Sequence, residues 1–93
     1  MLLDFKKIEK ISKALGDPYR LQIIEAIKKN CSNPMPCSNV VSMLNLSQPA
    51  ISHHMKLLID ADLIMAEKEG REMRYSINKD VFAAYTTYLK SFS

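Results

Sequence analysis

Glycine and cysteine are both scarce: Gly16, Gly70, Cys31 and Cys37 are the full complement in 93 residues. No Gly/Ser-rich linker, repeat or low-complexity run divides the chain, so residues 1–93 are expected to form one domain of ordinary size, with no room for a separate catalytic unit. Nowhere do eighteen apolar residues follow one another, and residues 1–13 carry no apolar export signal, so neither a membrane helix nor secretion is expected. Two thiols in such a chain fit a reducing cytoplasm. Disorder is excluded by composition, since apolar residues make up 47% and charged residues 25%, close to the globular average. A strongly basic footprint is missing as well. Thirteen Lys and Arg against ten acids leave a net charge of +3, which permits an anionic partner without announcing one.

What is present is helical periodicity with punctuation. Phe5, Ile8, Ile11 and Leu15 recur at helical spacing while Lys6, Lys7, Lys10 and Lys13 fill the other side, which predicts an amphipathic helix over 4–15 ended by Gly16. Asp17 can cap a second helix, with Pro18 at its first position and Leu21, Ile23, Ile24 and Ile27 as its apolar face. Residues 31–36 have turn character, and Val40, Val41 and Leu44 then make a short third helix that Ser38 can cap. Ser47 opens a fourth, with Pro49 early where its missing donor costs little. Leu63, Met65, Met73, Tyr75 and Ile77 alternate with polar residues around Glu69, Gly70 and Arg71, the pattern of a two-stranded hairpin. A last helix runs to Phe92, over 79–92, with Val81, Phe82, Tyr85, Tyr88, Leu89 and Phe92 at three and four spacing.

On a wheel of about 100° per residue, the fourth helix gathers Ala50, Ile51, Met55, Leu57, Leu58 and Ala61 on one arc, with His54 at its edge. The opposite arc holds Gln48, Pro49, Ser52, His53 and Lys56, without an acid until Asp60. Gln can pair bidentately with adenine, Ser and His can meet base edges, and Lys56 can meet a phosphate, all from the first turns of a helix that follows a helix and a tight turn. On the wheel alone, an ordinary amphipathic helix whose polar face is short of acids stands equally.

The strings ALGDPYRLQII at 14–24 and LNLSQPAISHHMKLLIDADLI at 44–64, with the hairpin ending in RYSIN, resemble the ArsR/SmtB family of bacterial winged-helix repressors, in one register over roughly residues 8–78. That resemblance implies a mainly α fold with a β-hairpin wing, a winged helix-turn-helix of order α-α-α-α-β-β-α. It also implies a homodimer that binds double-stranded DNA at an operator with two half-sites and represses transcription. On matching positions the base-reading residues are Gln48, Ser52 and His53, while Ser38, Ser47, Pro49 and Lys56 serve the helix start and the DNA backbone. The wing corresponds to residues 67–74. Here the chain departs from a strongly basic wing, because Lys68, Arg71 and Arg74 are offset by Glu67, Glu69 and Glu72, so only weak contact with phosphate or minor groove is expected.

Members of that family often sense a metal or metalloid, and the sites known for it do not recur in this sequence. In the register set by Ser47, Gln48 and Pro49, the two thiols of the arsenic type fall on Pro36 and Ser38, with Cys37 between them. The zinc and cobalt type needs histidines on the last helix, and a redox type needs a cysteine there; neither residue occurs in it. No metal site or cofactor is therefore predicted. Cys31 and Cys37, six positions apart, remain as a thiol pair that can form a disulfide, bind a soft metal or metalloid with help from a dimer mate, or simply stand as two unlinked thiols. His53 and His54, adjacent on a helix, point about 100° apart, which gives His53 to the DNA face and His54 to the core edge.

Phe5, Ile8, Ile11, Phe82, Tyr85, Tyr88 and Phe92 offer more apolar surface than a two-layer domain needs, and the resemblance assigns them to pairing between two copies through the terminal helices. The alternative to a DNA-binding regulator is a winged-helix module for protein contact, which the weakly charged wing would suit. An enzyme is not expected, since no nucleophile with a matched base, phosphate-cradling glycine loop or carboxylate pair is present.

Overall fold

A computed structural model describes residues 2–29, 35–36 and 44–93. Among these, the order is helix α1 (Phe5–Leu15), helix α2 (Pro18–Lys29), strand β1 (Met35–Pro36), helix α3 (Gln48–Asp60), strands β2 (Ile64–Glu69) and β3 (Glu72–Ile77), and helix α4 (Lys79–Lys90). The expected fourth helix is thus α3. The short helix expected around residues 38–44, including Ser38, Val40 and Val41, lies outside the described residues except for Leu44, which is buried.

Each helix begins where a short polar side chain can accept from its otherwise unpaired amides. Asp4 accepts from the Lys7 amide at 2.8 Å, Asp17 from Tyr19 at 2.8 Å, Ser47 from Ala50 at 3.4 Å and Asn78 from Val81 at 3.4 Å. Gly16 ends α1 as expected but with φ −85°, not in the left-handed region. Helix α3 stops differently. Asp62 takes φ 59°, its amide donates to the Ile59 carbonyl at 2.9 Å, and the Leu63 amide reaches back to Leu58 at 3.1 Å. These are the paired bonds of a Schellman ending with Asp in the usual glycine position. Lys7 of α1 forms an ion pair with Asp62 and so ties the first helix to the end of α3.

The buried core joins Ile11 and Ala14 of α1, Ile23, Ile24 and Ile27 of α2, Ile51, Met55 and Leu58 of α3, then Ala61, Leu63, Ile64, Tyr75 and Val81. Leu21, expected on the inner face of α2, is exposed. The hairpin register pairs Ile64 with Ile77, Ala66 with Tyr75 and Lys68 with Met73, which places these six on one face. Met65, Glu67 and Glu69 share the other with Ser76, Arg74 and Glu72. Met65, in step with Leu63 in the apolar alternation, is exposed. Leu63 is buried because it closes α3, so strand alternation counted from it acquires the wrong parity. Gly70 turns the hairpin with φ 63° while Arg71 keeps a negative φ, the pattern of a two-residue II′ turn. Residues 35–36, expected as part of a turn, pair with β3 (Met35 with Tyr75, Pro36 with Arg74), so the sheet has the order β1-β3-β2.

Candidate nucleic-acid interface

Helix α3 divides as the wheel predicts. Ile51, Met55 and Leu58 are buried against α1, α2 and the sheet, while Gln48, Pro49, Ser52, His53 and Lys56 are exposed along one arc. The Ser47 cap and the early proline fix where that arc begins, and the first turn contains no acid. The N-terminal end of a helix carries a partial positive charge that favours a phosphate nearby. Short hydrogen-bonding side chains, one cation and an open surface together can follow the floor and edge of a nucleic-acid groove.

His54 sits at the edge of the buried arc, half-buried, where its Nδ1 lies 3.1 Å from Arg20 Nη1 and its ring lies 5.8 Å from that of Tyr19. Arg20 was not singled out in the sequence. From the first turn of α2 it donates through Nε to the Ala14 carbonyl at 2.7 Å and through Nη2 to the Lys13 carbonyl at 3.1 Å. Asp17 Oδ2 lies 3.9 Å from its guanidinium. Partial burial pushes the Asp17 carboxyl up, but amide hydrogen bonds from Tyr19 and Arg20, with the charge of Arg20, outweigh it and hold the group below its ordinary 3.8. The string DPYR is the sequence signal for this corner, although only its capping role can be read locally.

The wing is nearly self-neutralised. Arg74 lies 3.0 Å through Nε from Glu69 and 3.5 Å through Nη2 from Glu72, with its side chain half-buried, so its charge is engaged within the hairpin. Lys68 and Arg71 are exposed near the tip, and among the described residues neither makes an ion pair. The expected offset of cations by acids is therefore unequal: it falls on Arg74, while the two cations nearest the tip stay open to solvent.

The apolar residues assigned to pairing separate into two groups. Ile11 is 0% exposed and belongs to the core of its own chain, which corrects its assignment to an interface between copies. Ile8 and Tyr88 are half-buried, and Phe82 and Tyr85 pack on the core, with Tyr85 Oη 2.9 Å from Ser12 Oγ. Phe5 and Phe92 are 81% and 74% exposed, with Leu2 and Leu89 beside them in sequence and exposed as well. Tyr88 and Phe92 meet edge to face at 5.3 Å.

Residues 17–65, from the cap of α2 into β2, match the family model described as bacterial regulatory protein, arsR family. The chain belongs to the arsR family. An arsenical resistance operon repressor of Staphylococcus xylosus is 33% identical over 84% of this chain and 72% of its own length. The crystal structure of an ArsR family transcriptional regulator superposes with a TM-score of 0.85 at 24% identity, covering 98% of this chain and 91% of that one. A homodimeric winged helix-turn-helix DNA-binding domain from Mycobacterium bovis gives a TM-score of 0.72 at 20% identity, over 92% and 78% of the two chains. The described elements fit the winged helix-turn-helix fold of the arsR family, with β2 and β3 as the wing.

Cys31 and Cys37, the thiols considered for sensing in this arsR chain, lie outside the described residues, as does Ser38. Among the described residues, no three His, Cys, Asp or Glu side chains gather as a metal site would require, and no helix is long and apolar enough to cross a membrane.

Proposed function

We propose that this arsR-family chain is a homodimeric transcriptional repressor that reads an operator with two half-sites through α3. The observation that carries this reading is the exposed, acid-free arc of Gln48, Ser52, His53 and Lys56 at the capped start of a helix whose other side is locked into the core. In this reading Gln48, Ser52 and His53 meet base edges. Ser47, Pro49 and Lys56 set the helix start and meet the backbone, and Lys68 and Arg71 bring the wing to phosphate. Phe5 and Phe92 supply the pairing surface. A soft-metal or thiol response through Cys31 and Cys37 is an alternative to two unlinked thiols; serine at both positions would abolish such a response and leave operator affinity intact in either case.

Fluorescence anisotropy against a duplex from the upstream region of its own gene, with a random duplex as reference, tests the reading. Gln48→Ala and His53→Ala are each expected to cost about 1–3 kcal/mol of operator affinity and little of the random-duplex affinity. Unchanged operator preference in both variants would overturn it. The neutralised wing favours one other reading, a winged helix used for protein contact, and for that module the wild-type chain shows no preference between the two duplexes.

A further inference from the structure

Arg20 is almost enclosed, with a side chain 12% exposed, and its guanidinium spends its donors in three directions. Two bonds run to the Lys13 and Ala14 carbonyls, at 3.1 and 2.7 Å, in the last turn of α1, where the Lys13 carbonyl also accepts from the Gly16 amide at 3.2 Å. The third direction leaves this corner: Nη1 lies 3.1 Å from Nδ1 of His54 on α3. A guanidinium has only donors and stays protonated, so Nδ1 must be the acceptor. A neutral imidazole that accepts at Nδ1 carries its proton on Nε2. The Tyr19 ring, 5.8 Å away and tilted by 38°, confines the same imidazole from α2.

His54 directly follows His53 and Ser52 on the second turn of α3, and their exposed side chains turn with it. A reading residue is only as well placed as the groups that hold its helix. Ile51, Met55 and Leu58 hold α3 by apolar packing, which tolerates small rotations, whereas a hydrogen bond is directional. The geometry points to Arg20 as a positioning residue for DNA reading: by donating to Nδ1 of His54 it holds that ring in the Nε2-protonated form and fixes the rotation of the turn that carries Ser52 and His53. This role rests on the DNA-reading function proposed above.

A plain structural clamp at the α1–α2 corner would need only the two carbonyl bonds, so the test is aimed at the third. Long-range proton–nitrogen NMR on the labelled full chain reads the ring nitrogens of His54 without DNA. A single form with its proton on Nε2 is expected in the wild type, and loss of that single form in Arg20→Gln. Anisotropy is then measured for His54→Phe, which keeps a ring beside Tyr19 but has no acceptor, and for His54→Asn, whose carbonyl oxygen stands near the place of Nδ1. His54→Phe is expected to lose about tenfold in operator affinity with its melting temperature and random-duplex affinity little changed, and His54→Asn to recover most of it. Should Arg20→Gln fail to fold, the two His54 variants carry the test. A proton on Nδ1 in the wild type, or an unchanged ratio of operator to random affinity in His54→Phe, overturns the role. A wild-type chain with no operator preference overturns the DNA reading itself and this role with it, while the nitrogen spectrum still reports whether the Arg20–His54 bond exists.

Discussion

Asp62 bears a backbone cost that its side chain only partly offsets. An L-residue at φ 59° is disfavoured by about 1–2 kcal/mol, less for Asp than for branched residues, and the ion pair with Lys7, part-exposed on both sides, returns less than about 1 kcal/mol. Asp62→Gly is therefore expected to melt at or slightly above the wild type, and Asp62→Val at least several degrees below it, in thermal unfolding followed by circular dichroism. Asp17 gives a prediction in pH. Its folded-state carboxyl lies below the ordinary 3.8, so the stability it confers is complete above that value and is lost as pH falls through the lowered one. Asp17→Ala should melt below the wild type at neutral pH, and the gap should close in acid. Capping residues such as Asp17 and Ser47 are legible in the sequence because their chemistry is satisfied within three positions. Arg20 was not, because its acceptors lie 6, 7 and 34 positions away and no local spacing announces them.

At the scale of elements, the wing carries the clearest functional consequence. Glu69 and Glu72 hold Arg74, and a cation already matched within the protein releases few counterions when it approaches phosphate. Glu69→Gln combined with Glu72→Gln should strengthen binding to any duplex and steepen the dependence of log affinity on log salt by about one unit; an unchanged slope would show that Arg74 remains out of reach. The helices were legible from period and caps, and β3 from alternation. The alternation in the sequence puts β2 one residue out of phase, since Leu63, Ile64 and Met65 are three apolar residues in a row and only pairing with β3 decides which of them points inward. Strand β1 gave no signal: two residues beside a proline carry no period, and their pairing depends on a partner about forty positions later.

At the scale of the whole molecule, exposed apolar surface predicts the assembly. Phe5 and Phe92 are too exposed to serve the core of one chain, and burying two such rings per copy favours association. Sedimentation equilibrium is expected to find a dimer for the wild type, and Phe5→Asp with Phe92→Asp should shift it to monomer and weaken operator binding with it; a dimer unaffected by both changes would move the interface elsewhere. Helical spacing showed that these faces are apolar, but it could not divide them between core and partner. Ile11 lies on the same sequence stripe as Phe5 and is wholly buried, because α2 and α3 cover that side of α1.

The strand order β1-β3-β2 also makes the wing a braced beam and not a free cantilever. Its root is clamped on both sides: β3 is held by β2 along its length and by residues 35–36 at Tyr75 and Arg74. Bending should therefore concentrate toward the tip, which carries Lys68 and Arg71. In amide hydrogen exchange, the amides of Arg74 and Ser76, which face β2 in this register, should resist opening far longer than those of Gly70 and Arg71 at the turn, so the wing's two open cations can adjust to the curvature of a duplex while the strand behind them keeps its place.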